Sequence, residues 1–187
     1  MQDCRQPGRE ARIWAESSNQ SSSVDVSTKM TNRAELHSWF VRRFHVGDAP
    51  QPCRDADLDA AEAVLHTILP EAYRCFMRLH GSVYTPGILA AIVDLNLDHD
   101  DIQNIVTVTE AVEGTKAYWS AGMPDDIIGF GNDCMGNMVG FKRKPRSASR
   151  PDDLPVWFFD HDFVTVKKLA GSFDRLLDWY VRNIEAI

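Results

Sequence analysis

Aspartate and histidine are interleaved in two short clusters of this chain, Asp98-His99-Asp100-Asp101 and Asp160-His161-Asp162. Both residue types ligate metals, but a hard cation needs several oxygens converging on one point. The first cluster lacks the glycine and the spaced acids of an EF-hand loop. In the second, Asp160 and Asp162 share a face if a strand continues through them, with His161 on the other. Solvated loop acids are the plainer reading of both, and no metal ligand is assigned.

The stretch Gly129-Phe130-Gly131-Asn132-Asp133-Cys134-Met135-Gly136 invites comparison with loops that cradle phosphate on backbone N–H groups. A dinucleotide loop needs a third glycine where Cys134 stands. A P-loop needs Gly-Lys-Ser/Thr after four spacer residues, and here Asn137 follows Gly136. A strand–turn–strand connection, with glycines supplying positive φ, accounts for the pattern better. Cys134, Asp160 and His161 include the types of a nucleophile set, but nothing in the sequence brings them together, and no G-x-S-x-G elbow exists. The chain is therefore read as non-enzymatic and without a cofactor. Lys142, Arg143, Lys144, Arg146 and Arg150 form a basic run that reads as a solvated hairpin loop rather than an anion site. Trp119, Trp157 and Trp179 read as core or rim aromatics rather than a base-stacking platform.

Charge narrows the partner classes. The 187 residues carry a net charge of −7. Residues 55–141 hold fourteen acids against Arg74, Arg78 and Lys116, a net of −11, while residues 30–54 and 142–187 are each +2. Such a middle repels phosphate backbones, which argues against direct nucleic-acid binding and suits a basic protein partner, although acidity also serves solubility. The longest apolar run, Ile88 to Val93, is far too short for a membrane span. Cys4, Cys53, Cys75 and Cys134 are scattered without paired spacing, as expected of reduced thiols in a cytoplasmic protein.

The elements that would position these residues follow from periodicity and punctuation. Residues 1–29 are polar, with a serine-rich stretch from Ser17 to Ser23, and read as a disordered or mis-assigned N-terminal extension ahead of a domain over 30–187. Leu36, Trp39, Phe40 and Phe44 fall at helical spacing. Asp55 or Asp57 can cap a second helix bearing Leu58, Ala61, Val64, Leu65 and Ile68, and Pro70 opens a third that Gly81 ends. Val83-Tyr84, Ile88 to Leu95 and Ile105 to Val108 read as strands, followed by a helix capped by Thr109. Further strands are expected at Ile127–Phe130, Met138–Phe141, Val156–Phe159 and Phe163–Val166. Ser172 caps a closing amphipathic helix with Phe173, Leu176, Leu177, Tyr180, Val181 and Ile184 on one stripe. This order predicts a single α+β domain, with a mixed or antiparallel sheet packed against helices.

Three stretches in this order resemble the SUKH superfamily, which contains fungal cell-wall-assembly regulators and many bacterial immunity proteins. They are Leu69-Pro70-Glu71-Ala72-Tyr73-Arg74-Cys75-Phe76-Met77-Arg78-Leu79-His80-Gly81, the strand–glycine turn–strand unit from Ile127 to Phe141, and Pro155 to Asp162 followed by Leu169-Ala170-Gly171-Ser172-Phe173. The resemblance covers roughly residues 55–187. Lys142 stands where the family usually places an aspartate, and His80 where it places an asparagine, so fold and mode of action carry over but no residue-level site does. The resemblance implies a compact domain without catalytic residues. In bacteria it implies an immunity protein that binds and neutralises a polymorphic toxin, often a nuclease, encoded beside it. The alternative is a non-catalytic regulatory scaffold in a cell-wall or signalling pathway.

The acids expected to meet such a partner lie in turns and connections, where a rigid scaffold presents them: Asp98, Asp100, Asp101, Asp125, Asp126 and Asp133. Asp55, Asp57 and Asp59 are set aside because a helix N-terminus already explains them.

Overall fold

The computed structural model describes residues 32–184, so the expected extension over 1–29 lies outside the described residues. The elements are α1 (Arg33–Phe44), α2 (Asp55–Val64), α3 (Glu71–Leu79), β1 (Val83–Tyr84), α4 (Gly87–Asp94), β2 (Asn104–Ile105), α5 (Val108–Ser120), β3 (Ile127–Asn132), β4 (Met138–Lys142), β5 (Val156–Asp160), β6 (Thr165–Ala170) and α6 (Phe173–Asn183). The six strands form one sheet in sequence order, and every neighbouring pair is antiparallel. The fold is α+β in a single domain, with the closing helix in place.

Both faces of the sheet are covered at β3 and β4, which explains why these strands are apolar on successive residues rather than alternately. Ile128, Phe130, Val139, Phe141, Val156 and Phe158 join the main core with Phe40, Tyr73, Phe76, Phe173, Leu177 and Tyr180 of α1, α3 and α6. The intervening Ile127, Met138 and Phe159 form a second cluster with Met123, against Tyr118 and Trp119 of α5. A bulge between Gly129 and Gly131 frees the Gly129 N–H to donate to Thr115 Oγ1 of α5 at 2.9 Å. Of the glycines in this unit only Gly136 has positive φ; Gly140 is needed for close approach, since a Cβ there would lie 2.4 Å from the Ile128 carbonyl oxygen.

Several local expectations are revised. The run Ile88 to Leu95 is helical rather than extended over all but its last residue. A strand would bury every second side chain, whereas Ile88, Ala91 and Ile92 point inward at helical spacing and Ala90 is exposed. A short apolar run is ambiguous by itself, and Pro86, already in the right-handed helical region, turns the chain into α4. Helix α5 is capped by Thr107, not Thr109. Thr107 Oγ1 accepts the Glu110 N–H, and the Glu110 carboxylate accepts the Thr107 N–H at 2.9 Å, a reciprocal box. This cap also ends β2 at Ile105. Strand β6 begins at Thr165 because Asp160 Oδ1 accepts the N–H groups of Asp162 and Phe163, 3.0 Å each, and holds 161–164 as a turn. In α1, Trp39 is partly exposed and His37 takes the inward place.

Candidate protein-binding surface

The six aspartates singled out in the sequence divide into three kinds. Asp98 and Asp125 are exposed and make no ion pair among the described residues. Asp100 and Asp126 are partly exposed but paired, Asp100 with Lys167 Nζ at 2.8 Å and Asp126 with Lys142 Nζ at 3.0 Å. Asp101 and Asp133 are turned inward, at 6% and 5% exposure. They are removed as contact residues, because their carboxylates build the end of the sheet.

The β3–β4 turn is organised around Asp133. Its Oδ1 accepts the N–H groups of Met135 (2.9 Å) and Asn137 (2.7 Å), and its Oδ2 accepts the Asn137 side-chain amide at 2.7 Å. Asp101, arriving from the α4–β2 connection, accepts the Cys134 N–H at 3.2 Å. Asn137 Oδ1 in turn accepts from the His161 backbone at 3.1 Å and lies 2.8 Å from His161 Nδ1, which laces the β5–β6 turn to the β3–β4 turn. The Tyr118 hydroxyl donates to the Gly136 carbonyl. Burial, and then the nearby Asp133 charge, raise the Asp101 carboxyl above its ordinary value.

This arrangement does not favour nucleophilic chemistry. Burial, then the charges of Asp101 and Asp133, push the Cys134 thiol up, the opposite of thiolate activation. His161 Nδ1 faces Asn137, and Asp160 is occupied by its own turn. Among the described residues no three His, Cys, Asp or Glu side chains are grouped so as to hold a metal ion. No helix among them is long and apolar enough to cross a membrane.

The basic run is engaged at several points. Arg150 reaches back to the buried Glu62 and to the Leu69 carbonyl oxygen, which accepts at 2.9 Å. Glu62 also accepts from the buried Arg74 at 3.1 Å and from the Leu69 N–H at 2.9 Å. Burial opposes ionisation of Glu62, yet these donors hold its carboxyl below the usual range. Asp55 and Asp59, set aside on dipole grounds, pair with Arg74 at 2.8 and 2.9 Å. Lys142 lies 4.6 Å from the Trp157 ring centre, and Arg143 lies 4.8 Å from that of Trp119.

The surviving acids do not converge on one point. Asp125 and Asp126 precede β3, whereas Asp98 and Asp100 lie in the connection that Asp101 ties to the turn after β3, so a six-residue strand, roughly 20 Å long, separates the two groups. Four residues before Asp98 in the chain stands an exposed acid that the sequence does not single out, Asp94 at the end of α4. The apolar run that contains it reads as a strand, and nothing in such a run marks Asp94 as exposed. An open cleft of about 600 Å³ lies between the loop after α1, strands β1 and β2, and the start of α5. It is lined by His45, Asp48, Gln51, Tyr84 and Glu110, and the last of these is held by the Thr107 cap.

Residues 52–179, more than half of the chain, match the model of the SMI1 / KNR4 family (SUKH-1). No curated protein matches the chain.

Proposed function

The chain belongs to the SMI1 / KNR4 family (SUKH-1), and on that footing we propose that it acts without catalysis, by binding another protein, as an immunity protein that neutralises a toxin in the bacterial cytoplasm. The family match carries this reading. The acidic surface supports it. Asp98 and Asp125 stand exposed on a segment of net charge −11, so a basic protein such as a nuclease would be attracted to the surface this segment presents and its encounter accelerated. With Asp101 and Asp133 interior, Asp98 and Asp125 are the acids this reading assigns to the partner, and the paired Asp100 and Asp126 take lower weight.

The test is co-expression with the neighbouring reading frame, which this reading expects to encode a toxin-like C-terminal domain. Restored growth and a co-eluting complex are expected. Continued growth arrest, with both proteins present and soluble, would sink the immunity reading and leave the regulatory scaffold as its replacement. Reversing Asp98 and Asp125 to lysine is expected to slow association at low salt and to matter less at high salt.

A further inference from the structure

Helix α4 reads Gly-Ile-Leu-Ala-Ala-Ile-Val-Asp over residues 87–94. A helix lying on a protein surface ordinarily keeps polar residues on its outer side. Here Ile88, Ala91 and Ile92 are buried in the main core, yet Leu89, Ala90 and Val93 point outward, with Val93 67% exposed, and Leu95 follows at 47%. Leu89 and Val93 stand four apart, one above the other on the same side. A lone exposed apolar residue needs no explanation, but apolar side chains gathered on one short helix do. Exposed acids end this helix and follow it in the chain. Asp94 and Asp98 are exposed without an ion pair among the described residues, and the nearby cation Lys167 is held by Asp100.

We propose that the outer face of α4 is the docking surface for a basic protein partner, which covers Leu89 and Val93 with apolar side chains and sets its cations against Asp94 and Asp98. The proposal rests on the reading of this chain as a protein-binding domain and names the face it uses. An apolar centre with a charged rim is the usual anatomy of a specific interface. A partner bearing acids at this rim would meet like charge, and so would a second copy of this chain.

The experiment uses the full chain with Val93→Lys, Val93→Ser and, as a control for added charge, Phe163→Lys on the exposed β5–β6 turn. Thermal melts establish that each variant folds. Binding is measured against the neighbouring toxin domain and, separately, against two synthetic amphipathic helical peptides, one of leucine and lysine and one of leucine and glutamate. Val93→Lys is expected to weaken toxin binding by about tenfold or more, Val93→Ser by less, and Phe163→Lys by under about twofold. The lysine peptide is expected to bind and to lose affinity in Val93→Lys but not in Phe163→Lys, and the glutamate peptide not to bind. Toxin binding equal in the parent chain and Val93→Lys would overturn the α4 face while leaving the immunity reading intact. Failure of the parent chain to bind the toxin would overturn the immunity reading, and the peptide pair would then decide α4. Lysine-peptide binding lost only in the Val93 variants keeps the face; no binding, or binding indifferent to Val93, removes it.

Discussion

Helices α6 and α4 are both rich in apolar residues, and they show two ways such a helix can meet the rest of a domain. In α6, Phe173, Leu176, Leu177 and Tyr180 are buried, with Arg175 and Arg182 on the outer side. Ser172 caps the helix by accepting the Arg175 N–H at 3.2 Å. Asp174 then ties it to α1, with His37 Nε2 and Arg33 Nε each 2.8 Å from its carboxylate oxygens. In α4 there is no side-chain cap, and apolar residues face both ways. The lesson is that periodicity marks a helix whose whole surface is provided for within one chain. A helix lacking polar contrast is harder to read, and its outer face is left for something else.

That contrast can be broken or sharpened by substitution. The largest effect is expected from Leu177→Ala in the middle of the α6 stripe, where loss of a fully buried side chain should cost roughly 2–5 kcal/mol in a denaturant titration. A near-neutral result would mean that α6 does not hold the core. Asp174→Ala strips the fully buried His37 of its partner and is expected to cost roughly 1–3 kcal/mol at neutral pH. Burial opposes ionisation of Asp174, but the hydrogen bonds from His37 and Arg33 prevail and keep its carboxyl below the ordinary 3.8. Its contribution is thus present above that value and fades as pH falls through the lower folded one, so the variant's deficit should shrink in acid. Ser172→Ala removes the cap and should cost about 1 kcal/mol, measurable as a lower melting temperature.

Smaller effects are expected on the α4 side. Asp101, in the connection that follows α4, has a raised carboxyl, so the sign reverses. Its contribution is present in acid, below the ordinary 3.8, and is lost as pH rises through the higher folded value. Asp101→Asn keeps an acceptor for the Cys134 N–H, and its stability relative to the parent chain should improve between pH 4 and pH 7. A constant difference across that range would show that Asp101 does not titrate differently in the fold. Val93→Ser should change stability least, by under about 0.5 kcal/mol, since the side chain touches mainly solvent. A loss comparable to Leu177→Ala would show that the outer face of α4 already packs within the chain.

The same division runs through what could be read beforehand. Helix α6 and its Ser172 cap are legible because the stripe and the cap lie within thirteen consecutive residues, 172–184. The motifs from Leu69 to Gly81 and from Ile127 to Phe141 are equally local, and both lie within the residues 52–179 that match the family. The run from Ile88 misleads because its neighbours in sequence offer no polar contrast. Thr107 and Thr109 look alike as caps, and only the backbone angle at Thr107 and the reach of Glu110 separate them.

By itself, then, the sequence determined what depends on neighbours a few residues apart: the element types with strong periodicity, the order that makes an α+β domain, the family and the excess of negative charge in the middle of the chain. Tertiary structure decided which acids of that segment face solvent. Asp133 is satisfied within its own turn, but Asp101 is drawn in by a backbone N–H 33 residues away. Glu62 is held by an arginine 88 residues along, and Asp174 by a histidine 137 residues back. Buried carboxylates require donors aimed at them, and those donors converge only when distant segments are folded together. An exposed aspartate and a buried one are therefore the same letter in the chain until the fold supplies, or withholds, the hydrogen bonds.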